Sequence, residues 1–223
     1  IQRTMFFKEG FLRLQDEAAQ LISHLVSPQS NGSVLDVCAG SGGKTTHLAA
    51  LMNNKGWIVA MDRDTEKIVQ LKKEASRMSV SIIESMNADL SHPLLSEFSK
   101  KFDHVLVDAP CSGTGTLRRN PEIKWRLTAS DLNTLLKTQK IILSNASHAV
   151  KKGGYLMYCT CSILPAENDE IIRHFLADNP QFIVCTPSET IVSNLMDSHG
   201  FFRTYPHRHK MDGFFGAMLR RLI

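Results

Sequence analysis

Apolar residues recur at helical spacing from Leu14 to Val26, where Leu14, Ala18, Leu21, Ile22 and Leu25 form one face and Pro28 supplies a stop. The run Ser33-Val34-Leu35-Asp36-Val37 reads as a strand, and the bend Gly40-Ser41-Gly42-Gly43 leads from it into a helix from Lys44 to Met52. A second strand, Trp57 to Asp62, precedes a charged helix from Thr65 to Met78. Val80 to Met86 and Phe102 to Val107 predict a third and a fourth strand. After a long polar and basic loop, Leu132, Leu135, Leu136, Gln139, Leu143, Ala146 and Val150 mark the stripe of a long helix. The cations and glycines of Lys151-Lys152-Gly153-Gly154 are expected to close it. Tyr155 to Cys159, Phe182 to Cys185 and Phe214 to Leu219 predict three more strands, with a helix from Pro165 to Ala177 between the first two. Strands alternating with helices of this length mean an α/β fold: a seven-stranded, mostly parallel sheet with helices on both faces. Residues 1–30 are expected to form a segment and helix packed on a core of residues 31–223.

The composition changes this picture little. The chain has 223 residues, 43% hydrophobic and 22% charged, which excludes a disordered tail, a collagen-like rod and a disulfide-stapled miniprotein. No run approaches the roughly 18 apolar residues of a membrane span, and the N-terminus lacks a signal-peptide layout. Five cysteines without a secreted spacing read as reduced thiols, so a cytoplasmic setting is expected. The net charge of +4 permits a polyanionic partner without demanding one. The chain opens Ile1-Gln2-Arg3, without methionine, and is expected to be a monomeric fragment of something longer.

Ligands of such sheets settle at the carboxyl ends of the strands, and four of the loops there carry unusual chemistry. The first is Asp36-Val37-Cys38-Ala39-Gly40-Ser41-Gly42-Gly43-Lys44, whose glycines let backbone approach a ligand and whose helix start offers free N–H groups. Asp62, with Arg63 beside it, ends the second strand about 20 residues further on, where nucleotide-type folds grip a ribose diol. A phosphate loop would need glycine where Cys38 stands, and a dinucleotide loop would need one at Thr45. A nucleoside without phosphates remains, and S-adenosylmethionine fits. Asp89, in Asn87-Ala88-Asp89, either accepts from the adenine amine or is an ordinary capping carboxylate.

The other two loops carry thiols. Asp108-Ala109-Pro110-Cys111-Ser112-Gly113 follows the fourth strand, and Cys159-Thr160-Cys161-Ser162 the fifth. Adjacent strand ends place Cys111 and Cys161 over one crevice. Most cysteines are small core residues, but these stand among Ser, Thr, Gly and Pro. Cys161 also precedes the helix expected from Pro165, whose positive end would favour a thiolate. Zinc is the competing account, yet neither Cys159-x-Cys161 nor His207-x-His209 has ligand spacing, so no metal is expected. Thiols beside S-adenosylmethionine have a chemical logic. Carbon-5 of a pyrimidine is a weak nucleophile until a thiolate adds at carbon-6, and a base must later remove the carbon-5 proton. Asp108, near both cofactor and base, would hydrogen-bond the pyrimidine edge.

With these motifs the chain resembles the RsmB/Sun family of RNA cytosine-5 methyltransferases. The likeness extends from Phe11 through Gln15-Asp16-Glu17-Ala18-Ala19-Gln20, the loops above and Glu167-Asn168 to Asp212-Gly213-Phe214-Phe215. It implies a Rossmann-like S-adenosylmethionine-dependent methyltransferase fold, Cys161 as nucleophile, Cys111 as the helper in product release, and an RNA substrate, with ribosomal RNA expected. A transfer-RNA cytosine-5 methyltransferase, or a non-catalytic RNA-binding assembly factor on the same fold, is the alternative. DNA cytosine-5 enzymes attack with the Pro-Cys thiol and are not expected to pair it with Thr-Cys. The family loop usually reads Cys-Ala-Ala-Pro-Gly-Gly-Lys, so Gly40 and Ser41 predict a looser loop here. Cys159 stands where serine is usual, and an N-terminal RNA-binding region is expected upstream.

Two basic stretches are candidates for holding RNA. Arg118-Arg119-Asn120-Pro121-Glu122-Ile123-Lys124-Trp125-Arg126 continues from the Cys111 loop, and Phe201 to Lys210 includes Arg203, Arg208 and Lys210 without an acid. Such cations neutralise phosphates and aromatics stack on splayed bases, although Trp125 could equally be a packing residue.

Overall fold

The run Ser33–Val37 becomes β1, buried at every residue after Ser33 because strands lie on both its edges and helices on both its faces. The computed structural model describes residues 1–186 and 190–223. Beside β1 lie β2 (Trp57–Asp62), β3 (Ile83–Asn87), β4 (Phe102–Asp108) and β5 (Val150–Thr160), all parallel. β6 (Phe182–Val184), β7 (Phe202–Thr204) and β8 (Phe214–Arg221) complete an eight-stranded sheet of order β3-β2-β1-β4-β5-β8-β6, with β7 also on β8. β8 runs antiparallel to its neighbours. Strand order reverses between β1 and β4, which opens a crevice above their carboxyl ends.

Among the described residues five longer helices cover the faces of the sheet, and their starts follow local chemistry. α2 (Glu17–Val26) begins where Asp16 accepts from the Ala18 N–H at 3.0 Å. α3 (Gly43–Leu51) follows Gly42, and α4 (Thr65–Arg77) is capped by Asp64. α6 (Ala129–Ser147) opens with a capping box between Thr128 and Asp131. α7 (Asp169–Asp178) packs beside α6. Three single turns, α1 (Met5–Lys8), α5 (Ile123–Arg126) and α8 (Pro206–His209), complete the set. One core joins Leu35, Val107, Ile142, Ile171 and Phe215; the other joins Ile22, Val34, Leu48, Leu106 and Met157 across the sheet. Among the described residues no helix is long and apolar enough to cross a membrane.

The parallel α/β architecture is the one the periodicity predicts, and its departures are local. Leu14 lies outside α2 and is 51% exposed, since the Asp16 cap fixes the start. The third strand runs three residues later than expected at its start, from Ile83. The long helix ends at Ser147, and Val150 pairs with Phe102 in β5, so Lys151 to Gly154 extend a strand instead of closing a helix. The helix expected from Pro165 is divided. A 3₁₀ turn spans Pro165–Glu167, and α7 starts only at Asp169. Asn168 forces the break, because its side chain is bonded to Thr160 Oγ1 (2.6 Å) and to the Ser162 carbonyl (2.9 Å). The eighth strand, β7, has three residues and was below the reach of period-two patterning.

Three backbone segments meet at Gly115. Its N–H donates to the Cys161 carbonyl (2.9 Å), and its carbonyl accepts from the Gly213 N–H (2.8 Å). A Cβ there would stand 1.9 Å from the Gly213 oxygen and 2.8 Å from that of Cys161. Only glycine allows this approach. Gly115→Ala is therefore expected to destabilise the fold by about 3 kcal/mol, which a thermal melt reads as a fall of roughly 6–12 °C. A shift below about 2 °C would contradict the crossing.

Candidate active site

β4 and β5 end side by side, with Asp108 opposite Cys159, so the loops that follow emerge together. The Sγ atoms of Cys111 and Cys161 lie 3.3 Å apart, both residues half-buried. Glu167, fully buried, locks the two loops. Its carboxylate accepts from the Ser112 N–H (2.8 Å), the Ser112 hydroxyl (2.5 Å) and Gln139 Nε2 (2.9 Å). Ser112 Oγ also stands 3.2 Å from Ser162 Oγ, which is 3.0 Å from Thr114 Oγ1. Tyr158 adds a bond from its hydroxyl to the Glu167 carbonyl (2.7 Å).

The two thiols differ electrostatically. The contact with Cys111 holds the Cys161 pKa below the usual thiol value, against burial and Asp108 and with help from Lys44. The same contact, reinforced by burial, drives Cys111 well above it, so Cys111 keeps its proton. The thiolate preference at Cys161 does not come from a helix at Pro165, because a 3₁₀ turn and Asn168 separate it from α7.

Lys44 belongs to this side of the site. Its Nζ lies 2.6 Å from Asp108 Oδ2 and 5.2 Å over the Phe214 ring. Burial disfavours the ammonium, but the Asp108 carboxylate outweighs it and raises the pKa. Cys159, fully buried in β5, donates to Asp108 Oδ1 at 3.4 Å, and burial keeps it a neutral thiol. Asp108 is thereby gripped on both oxygens.

A cleft of about 300 Å³ opens over the carboxyl ends of β1, β2 and β4, lined among others by Cys38, Gly40, Asp62, Arg63, Asp89 and Asp108. Neither thiol lines it, and it reaches the Cys111 loop at Asp108 and Pro110. Asp62 accepts from the Gly40 N–H (2.8 Å) and the Asp64 N–H (2.9 Å), which orients its carboxylate. Cys38 (φ 64°), Gly40 (φ 57°) and Gly42 (φ 85°) adopt left-handed backbone. For the non-glycine Cys38 that is strain held at a functional loop. Asp36, below the loop, is pushed up to about 7 by burial, against the bond from Thr45 (2.7 Å). Ala39, Ser41, Gly42 and Gly43 are not among the residues lining the cleft. The loop is less loose than its composition predicts. Gly40 is tied to Asp62, and Ser41 is met by Arg13, whose Nη2 lies 3.4 Å from both its carbonyl and its hydroxyl oxygen. Asp89 sits exposed at the rim and accepts from the Ser91 N–H (2.9 Å), so it is a local cap as well as a cleft residue. Pro110 of the Cys111 loop also lines the cleft, as do Lys67, Leu90, Thr138 and Ile142, which escaped the sequence reading. Thr138 and Ile142 are one helical turn apart on α6, the only signal they carry.

The donor set suits S-adenosylmethionine. Asp62 has lone pairs left for a ribose diol, Leu90 and Ile142 offer apolar faces for adenine, and the glycine turn brings backbone to the rim.

The basic residues divide into two groups. Arg118 bonds Asp212 Oδ1 (3.0 Å), Asp16 Oδ2 (2.8 Å) and the Lys210 carbonyl (2.8 Å), and Arg119 pairs with the same buried Asp212. Arg203 pairs with Asp197 (2.6 Å) and Asp169. These three guanidinium groups hold the α2 start and the β7–β8 region in place, so they are not the free phosphate contacts the sequence suggests. Lys124, Arg126, Arg208 and Lys210 are exposed. Trp125 is 80% exposed, which removes the packing alternative.

Residues 23–220 match the family described as 16S rRNA methyltransferase RsmB/F. The chain is 38% identical over 217 residues to the probable ribosomal RNA small subunit methyltransferase B of Synechocystis, covering 96% of this chain and 49% of that protein. It is 36% identical over 227 residues to the corresponding protein of Bacillus subtilis, covering 99% and 50%. The chain thus spans about half the length of these relatives. Its fold superposes on NSun6 from Pyrococcus horikoshii, solved with SFG, with a TM-score of 0.86 at 24% identity, covering 100% of this chain and 56% of that one.

The split between the thiols has a direct readout. Iodoacetamide should modify Cys161 at a lower pH than Cys111, because the thiolate is the reactive species and the Cys161 fraction rises first as pH rises. Peptide mass mapping from pH 6 to 10 checks the order. Earlier labelling of Cys111 would contradict it.

Proposed function

This chain belongs to the 16S rRNA methyltransferase RsmB/F family, and we propose that it methylates carbon-5 of a cytosine in ribosomal RNA through a covalent bond from Cys161. The observation that carries the reading is the thiol pair, 3.3 Å apart, with a cleft carrying donors for S-adenosylmethionine that reaches the Cys111 loop. When bound, that cofactor supplies an electrophilic methyl group.

Each residue then has a task that its surroundings support. Cys161 Sγ, the more acidic thiol, adds to carbon-6 of the cytosine, and the ring electrons move to carbon-5, which captures the methyl. Asp108, fixed by Lys44 and Cys159, hydrogen-bonds the polar edge of the base and holds the ring over the sulfur. After transfer, a base, here solvent water or hydroxide in the crevice, takes the carbon-5 proton. The electrons of that C–H bond reform the carbon-5–carbon-6 double bond, and the carbon-6–sulfur bonding pair returns to Cys161 as the thiolate. Cys111, beside that sulfur, assists this release. Asp62, with Arg63 and Asp89 at the rim, grips the cofactor's nucleoside end. Lys124, Arg126, Arg208 and Lys210 contact RNA phosphates, and Trp125 offers its exposed face to a base. The target cytosine must be unstacked to reach a thiol in a crevice.

Two variants of the full chain test the roles. Cys111→Ala should accumulate a covalent protein–RNA adduct on denaturing gels, because release is impaired. Cys161→Ala should form none and lose methyl transfer by roughly 10⁴-fold or more. Equal adduct from both would overturn the assignment.

A further inference from the structure

The segment ahead of α2 is fastened to α4, and through α4 to the cofactor loop. Arg77 donates to the carbonyls of Phe7 and Leu12 (the latter at 3.3 Å) and stands 4.1 Å over the Phe7 ring. Gly10 passes so close that a Cβ there would lie 2.0 Å from the Arg77 carbonyl oxygen. Arg77 also grips Glu74 at 2.8 and 3.1 Å. Glu74 in turn accepts from Arg13 Nη1 at 2.8 Å, and the other end of the Arg13 fork lies 3.4 Å from both oxygens of Ser41.

Ser41 is a sensitive place to be held. It lies in the turn from Ala39 to Gly42, closed by the Gly42 N–H on the Ala39 carbonyl at 3.1 Å. The preceding Gly40 is left-handed, a Cβ on it would meet nothing within 4 Å, and its N–H orients Asp62 at 2.8 Å. Nothing within the turn's own side chains fixes that N–H. The connections close into a ring: Asp62, the Asp64 cap, α4, Glu74, Arg13, Ser41, Gly40 and back to Asp62. Arg13 is only 19% exposed, and burying a guanidinium is unfavourable unless its bonds are used.

We propose that Arg13 is a positioning residue for S-adenosylmethionine, holding the 39–42 turn, and through it Asp62, ready before the cofactor arrives. The inference rests on the reading of the adjoining cleft as the S-adenosylmethionine site. Prepaid order of this kind raises affinity without touching the reacting atoms.

Titration calorimetry of the full chain with S-adenosylmethionine and with S-adenosylhomocysteine tests it. Arg13→Ala should raise the Kd about 10-fold, and Arg13→Lys, which keeps a bond to Glu74 but loses the fork, should fall between. The methylation rate at saturating cofactor should change far less than the Kd. A role in stability alone would lower the melting temperature and leave both dissociation constants where they were. Both variants binding within about twofold of the parent chain overturns the inference. Should Arg13→Ala fail to fold, Arg13→Lys carries the same comparison. Absence of binding by the parent chain overturns the cofactor reading itself, and is distinguished by needing no variant.

Discussion

Glu167 is a carboxylate with no exposed surface, and three donors from two other segments converge on it. Such a group is stable in the interior only while its partners stay in place, since leaving a buried acceptor unpaired costs about 1–3 kcal/mol. The partners are the loop after β4 and helix α6, and Glu167 itself belongs to the turn after β5. The requirement that this carboxylate be satisfied is therefore also the requirement that Cys111 and Cys161 face each other. Asn168, Thr114 and Ser162 extend the same network to the backbone of the Cys161 loop. The thiol pair is a consequence of polar groups that the core cannot leave unpaired.

Charge is arranged around this frame in layers. Asp108 lies between a buried ammonium and a buried thiol, and neither lets it swing away. Lys44 neutralises that carboxylate while favouring a thiolate at Cys161, and Cys111 supplies the hydrogen bond that the thiolate needs. Two chemically identical side chains thus acquire different proton affinities from their positions. That separation is what allows one to attack and the other to assist.

Much of this was legible in the sequence, and the unread part has a common cause. β1, β2, β4 and the loops at their ends announce themselves because buried parallel strands are apolar runs and because thiols and glycines at strand ends are chemically odd. Local hydrogen bonding overrode the pattern where it failed. Asn168 divided a helix that periodicity drew as continuous, and Asp16 set a later helix start than the apolar stripe implied. Long-range pairing was invisible altogether. Arg118 and Arg119 read as a nucleic-acid patch, yet Asp212, more than ninety positions away, claims them. Arg13 carried no local signal, since Glu74 and Ser41 meet it only in the folded chain. Cys159 read as a departure from the serine usual at that position, and the fold made it a support beneath Asp108.

The central claim is that the sulfur of residue 161 bonds to the target base. It is tested most directly by presenting the full chain with cofactor and RNA carrying 5-fluorocytidine, whose carbon-5 fluorine blocks release. The crosslinked peptide is then sequenced by mass spectrometry. The account predicts a nucleotide mass on the peptide containing Cys161, attached at that residue. Attachment at Cys111, or methylated RNA with no crosslink at either thiol, would contradict it.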